Sequence, residues 1–133
     1  LPAMRQRGAG WILNISSVAA RHPSMPPSDW AGRGSTVYGM CKAALERLST
    51  GLAAELYADN IAVNALSPTR VVPTPGTIFH HLTTEDDPAA EPPAVMAEAA
   101  LMLCHRDPTS MTGRVAYSQD LLAELGVAAP RAR

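Results

Sequence analysis

Tyr38 and Lys42 stand four residues apart in the run Val37-Tyr38-Gly39-Met40-Cys41-Lys42-Ala43-Ala44-Leu45. On an α-helix that spacing puts a phenol and an ammonium on one face, about one turn apart. A free phenol titrates near ~10, and a cation held close to it favours the phenolate, so a tyrosine in such a pair can exchange protons near neutral pH. The same pair also describes two solvated residues on an exposed helix face. The surroundings decide between these readings. Upstream, Gly10-Trp11-Ile12-Leu13-Asn14-Ile15 ends in Ser16-Ser17; downstream, Ile61-Ala62-Val63-Asn64-Ala65-Leu66 leads into Ser67-Pro68.

Several elements must position these groups. Residues 1–7 read as the end of a helix, stopped by Gly8 and Gly10. Residues 11–15 form a short, nearly continuous apolar run, which predicts a parallel strand covered on both faces. Ser16 and Ser17 then fall at its C-terminal end, where open parallel α/β sheets bind ligands. The connection over 19–37 is rich in Pro, Gly and Ser and has the length of a lid or a disordered segment; its His22 and Trp30 are placed to face a substrate, with Trp30 pinning the loop to the body as the alternative. A helix is predicted from about Ser35 to Tyr57, with Ser35 or Thr36 as N-cap. Its Leu45, Leu48, Leu52 and Leu56 make a stripe expected to face the core, while Gly39, Ala43, Gly51 and Ala54 make a second face that another helix could approach closely. Residues 61–66 predict a second parallel strand joined by a right-handed crossover, with Asn64 bonding neighbouring backbone. A last amphipathic helix starts at Pro93 and ends near His105-Arg106-Asp107-Pro108, and residues 121–126 read as a short helix.

Composition narrows the class. A chain of 133 residues with 47% hydrophobic and 17% charged residues suits one globular domain. A net charge of −1 with scattered basic residues gives no electrostatic case for nucleic acid or an anionic membrane. No apolar run approaches the ~20 residues of a membrane span, and the first residues lack a signal pattern, so a cytoplasmic protein is expected. The two cysteines, Cys41 and Cys104, are too few for a disulfide framework and are expected to be buried or half-buried thiols. His80 and His81 lack partners at ligand spacing, so no metal is expected.

The order of strand, Ser-Ser, Tyr-x-x-x-Lys-Ala-Ala-Leu helix and Ile-x-Val-Asn-x-x-x-Pro resembles the short-chain dehydrogenase/reductase family. The resemblance covers essentially the whole chain but only the C-terminal half of the family's domain. It implies an α/β fold: a partial Rossmann-like, doubly wound parallel sheet of about three strands with flanking helices, the N-terminal dinucleotide-binding half absent. Residues 1–133 would be the C-terminal catalytic half of a single domain. The family's substrate lid would occupy about 77–93, and its Thr-Gly turn into the final strand corresponds to Met111-Thr112-Gly113-Arg114-Val115.

Carried over residue by residue, the resemblance implies that Tyr38 is the general acid/base, that Lys42 lowers its pKa and holds the nicotinamide ribose, and that Ser17, rather than Ser16, hydrogen-bonds the substrate oxygen. The segment Pro68-Thr69-Arg70-Val71-Val72-Pro73-Thr74 resembles the part of the family that embraces the nicotinamide. Pro68, Val71, Val72 and Thr74 are thereby implied as contacts to NAD or NADP. Three departures are visible: Thr69 stands where the family usually has Gly, Thr74 arrives one residue late, and the connection from Ser17 to Tyr38 is several residues longer than usual. The phosphate grip needs a Gly-rich turn from a strand into a helix, and Gly8-Ala9-Gly10 precedes a strand instead. The expectation is an oxidoreductase passing hydride between a nicotinamide cofactor and an alcohol or ketone, with the 133-residue chain alone inactive and a poor cofactor binder. In the family the 37–57 helix packs on its counterpart in a second subunit, which implies a homo-oligomer. The alternative is a non-catalytic interaction module that pairs with full-length relatives.

Overall fold

The structure, a computed structural model, describes residues 1–28 and 34–130. In chain order it contains α1 (Pro2–Arg7), β1 (Gly10–Ile15), a 3-10 turn (Val18–Ala20), α2 (Thr36–Glu55), a second 3-10 turn (Tyr57–Asp59), β2 (Ile61–Ser67), α3 (Pro75–Phe79), α4 (Pro93–His105), β3 (Val115–Tyr117) and α5 (Ser118–Glu124). The three strands form one parallel sheet in the order β1-β2-β3. Trp30, read from the sequence as a substrate or loop-pinning residue, lies outside the described residues.

Strand alternation sends successive side chains to opposite faces, so each face needs its own helical cover. Ile12, Ile61 and Val63 pack with Leu52 and Ala53 of α2, with Leu56 that caps its C-terminal end, and with Met4 of α1. Leu13 and Leu66 pack on the other face with Val95, Ala99 and Leu103 of α4 and with Leu121 and Leu122 of α5. Every residue of β2 is buried as a result. This is a doubly wound layer structure, as the resemblance implies.

β1 departs from expectation. It reads as a strand covered on both faces, yet most of it is only half-buried and Ile15 is 49% exposed. The cause is position: among the described residues β1 has a strand neighbour on one side only, β2. Backbone donors and acceptors on the other side form an open edge. The helix stripe also needs correction. Leu56 is buried and Leu45 and Leu52 are half-buried, but Leu48 is 53% exposed, and the residues of α2 buried against the sheet are Ser49 and Ala53. The face toward the sheet is rotated from the leucine stripe because small residues let the helix sit close. Cys41, expected to be at least half-buried, is exposed; Cys104 is half-buried, and burial pushes its thiol pKa up.

Three polar or small residues fix the ends of the core strand. Asn64 donates from Nδ2 to the Met111 carbonyl at 2.8 Å and accepts from the Arg114 amide at 2.9 Å, the backbone role expected of it. Thr112 accepts the Val63 amide through Oγ1, and Gly113, at φ 71°, returns an N–H to the Val63 carbonyl. The Thr-Gly pair thus sets the register at which β3 meets β2. Gly8 closes α1 at φ 75°, and a Cβ on Gly10 would meet the Met4 side chain at 2.7 Å. These glycines serve a helix cap and a close packing contact, and they lead from a helix into a strand.

Candidate active site

The C-terminal ends of β1 and β2 open onto a cavity of about 1460 Å³. Ser17, Tyr38, Lys42, Pro68, Val71, Val72 and Thr74 all line it, so residues far apart in the sequence share one space. Lys42 is anchored: its Nζ donates to the Ile15 carbonyl at 2.8 Å, which ties the ammonium to the tip of β1. From there it lies 5.6 Å from the centre of the Tyr38 ring, within reach of a cation–π attraction. An ammonium has three N–H groups, so two remain for a ligand. Tyr38 is 52% exposed.

The two serines divide their work. Ser16 is buried and donates its hydroxyl to Glu46 Oε1 at 2.6 Å. Ser17 caps the 3-10 turn by accepting the Ala19 amide at 3.2 Å, which uses an oxygen lone pair and leaves its proton to give. Of the pair, Ser17 is therefore the one with a hydroxyl proton to offer the cavity. Asn14, between the two faces of β1, donates to Ser49 Oγ at 2.9 Å and locks the strand to α2.

Gly39 sets the distance between these parts. A Cβ there would come 2.5 Å from the Ala19 carbonyl oxygen, so only glycine lets the turn carrying Ser17 press against the first turn of α2. The small-residue face expected to receive another helix thus receives a backbone turn at this position.

Beyond β2 the chain is pinned by its carbonyls. Glu91 donates its amide to the Val71 carbonyl at 2.8 Å, and Thr77 Oγ1 donates to the Val72 carbonyl at 2.7 Å. Val71 and Val72 both line the cavity, and neither has its N–H bonded among the described residues. Thr74 is already engaged locally as the N-cap of α3. Its hydroxyl accepts the Thr77 amide at 3.2 Å, and its own amide donates to Thr77 Oγ1 at 2.8 Å, which completes a capping box. Because the Thr77 hydroxyl proton goes to Val72, the 3.0 Å contact between the two hydroxyls takes the Thr74 proton. To donate to a ligand, Thr74 must leave this bond.

Two features were not read from the sequence. Glu91 is fully buried; its carboxylate accepts from Ser118 Oγ at 2.5 Å, Gln119 Nε2 at 2.8 Å and the Thr69 amide at 3.3 Å. Thr69, which replaces the usual Gly, accepts the Gln119 amide through its hydroxyl, so the extra side chain welds the loop after β2 to the start of α5. Arg21 and Arg70 also line the cavity. Their place in the connections that leave β1 and β2 was the available signal. Among the described residues no group of three or more His, Cys, Asp or Glu could hold a metal, and no helix is long and apolar enough to cross a membrane.

A family model described as enoyl-(acyl carrier protein) reductase matches residues 1–119. The chain is 32% identical over 121 residues, 90% of its length, to the short-chain reductase protein NovJ of Streptomyces niveus, of which the match covers 38%. It is 40% identical over 68 residues to 2-keto-3-deoxy-L-fuconate dehydrogenase of Xanthomonas campestris, covering 51% of this chain and 20% of that one. A solved 3-oxoacyl-[acyl-carrier protein] reductase from Brucella melitensis with bound NAD superposes with a TM-score of 0.61 at 31% identity, over 87% of this chain and 42% of that one. The chain therefore spans less than half the length of each of these proteins.

Proposed function

Because the chain belongs to the short-chain dehydrogenase/reductase family, we propose that it carries the proton-transfer face of an NAD- or NADP-dependent oxidoreductase acting on a small alcohol or ketone. The observation that carries this reading is the shared cavity: Ser17, Tyr38 and Lys42 line it together, with Lys42 fixed on the tip of β1. In the reduction direction Ser17 donates to the carbonyl oxygen, a donor aimed where negative charge develops. Tyr38 then gives that oxygen its proton, and in oxidation takes the proton back. The nicotinamide, when bound, supplies or accepts the hydride.

The residues present fit the nicotinamide end of such a cofactor. The free N–H groups of Val71 and Val72 suit a carboxamide, Pro68 flanks them, and the spare donors of Lys42 suit a ribose hydroxyl. Thr74 joins this set only when its cap bond opens. Residues 1–133 would form the catalytic half of the domain, with 77–93 as its lid. Among the described residues no Gly-rich turn leads from a strand into a helix, so cofactor affinity in this chain rests on the nicotinamide end.

The test is an NADH- or NADPH-coupled assay with a panel of small ketones, comparing the protein with its Tyr38→Phe variant. General acid catalysis contributes roughly 10²–10⁴ in rate, so kcat should fall by at least about a hundredfold. Unchanged turnover in that variant would refute the role of Tyr38. A second reading rests on the exposed side of α2, where Val37, Cys41, Ala44 and Leu48 are all exposed at helical spacing. It is an interaction surface through which the chain pairs with a copy of itself or a full-length relative, independent of catalysis.

A further inference from the structure

We infer that the substrate is an acid: a ketone or alcohol bearing a carboxylate, held by Arg70 and Arg21. This inference rests on the proposed redox reading and adds the charge of the substrate to it. Its basis is the sign of the cavity wall. Among the described residues, the ionisable groups lining it besides Tyr38 are Arg21, His22, Lys42 and Arg70, and no Asp or Glu is among them. In a chain whose acidic and basic residues number 12 and 11, such segregation concentrates positive potential at one place.

Two carboxylates bonded to lining residues do not themselves line the cavity. Glu46 sits behind Ser16 and takes its hydroxyl, and Glu91 sits behind Thr69, bonded to Ser118 and Gln119. Neither arginine has a carboxylate within ion-pair distance among the described residues; the pairs there are Arg5 with Asp59 and Arg114 with Glu124. Lys42 spends one donor on the Ile15 carbonyl and, in the proposed reading, the others on a ribose hydroxyl, whereas Arg70 makes no hydrogen bond among the described residues and has its guanidinium fork to offer a ligand. Arg21 is held in place differently. Its guanidinium lies 3.8 Å over the centre of the Tyr117 ring, stacked through its face, which leaves its edge N–H groups to reach a planar anion.

Two arginines lining the same cavity as a proton donor suit a substrate with its carboxylate at one end and the reacting carbon near Ser17 and Tyr38. A neutral ketone would leave these charges uncompensated. The probes are 2-oxobutanoate and butan-2-one, in which a methyl group takes the place of the carboxylate, with binding followed by saturation-transfer NMR so that no turnover is needed. The acid should bind the unaltered protein at least tenfold more tightly. Arg70→Gln should remove most of that difference, Arg21→Gln part of it, and Tyr38→Phe should leave it intact while abolishing turnover. Equal binding of the two ketones, or a preference for the acid that survives Arg70→Gln and Arg21→Gln together, would overturn the inference. So would a loss of NADH binding in the arginine variants with the acid preference unchanged, which would assign the arginines to cofactor phosphates. A retained acid preference with no NADH- or NADPH-coupled turnover of any keto acid would refute the redox reading and leave the anion site standing.

Discussion

Gly39 shows how one missing methyl group can hold a site together. Replacing glycine by alanine inside a helix ordinarily stabilises it by about 1 kcal/mol. Here the new Cβ would fall 2.5 Å from the Ala19 oxygen, and forcing an atom into such a contact costs about 1–3 kcal/mol. The two effects nearly cancel, so the stability of Gly39→Ala in a urea titration should lie within about 1–2 kcal/mol of the parent. Relief comes from pushing away the 3-10 turn, and that turn is capped by Ser17. A displacement near ~1 Å at a reacting group can cost about a hundredfold in rate, so kcat/KM should fall far more than stability does. Parent-like kinetics would mean that the turn has room to yield without moving Ser17. Tyr38 and Lys42 were legible in the sequence because a four-residue spacing is a local signal. Arg21, Arg70 and the proton bookkeeping of Thr74 were not, since each depends on where a loop folds back.

At the level of elements, β2 and α4 followed from their apolar patterns, while β1 and α2 did so only in outline. An apolar run such as residues 11–15 looks alike whether one or two strand neighbours cover it. A leucine stripe cannot reveal that Ser49 and Ala53 are the residues pressed against the sheet. Glu91 was still less visible, since its partners Thr69, Ser118 and Gln119 lie 22, 27 and 28 residues away. It ties three segments together: the loop leaving β2, the approach to α4 and the start of α5. Removing a buried acceptor strands its donors at roughly 1–3 kcal/mol for each group left unsatisfied. Glu91→Ala should therefore lower the unfolding free energy by roughly 3 kcal/mol. Glu91→Gln, which keeps one oxygen and can donate to Ser118 Oγ, should cost about 1 kcal/mol. Denaturant midpoints read both, and an alanine variant within about 0.5 kcal/mol of the parent, on the order of an ordinary surface substitution, would show that water replaces the carboxylate.

At the scale of the whole chain, two surfaces among the described residues are able to join chains. One is the free edge of β1, with its unpaired backbone groups beside the exposed Ile15; the other is the outer side of α2, from Val37 to Leu48. They can be told apart by Cys41, which is exposed on α2 between those two residues. If chains pair through α2, alkylation of Cys41 should slow as protein concentration rises, and Leu48→Lys should restore the dilute rate by placing a charge in the contact. Cys104 supplies an internal reference: burial raises its thiol pKa, so less reactive thiolate is present and it should react more slowly than Cys41 in dilute protein. Association through the β1 edge predicts the opposite pattern, with Cys41 alkylated at one rate at every concentration while sedimentation shows larger species. A concentration-independent Cys41 rate in protein that sediments as a dimer would rule out α2 as the contact and leave the strand edge to account for pairing.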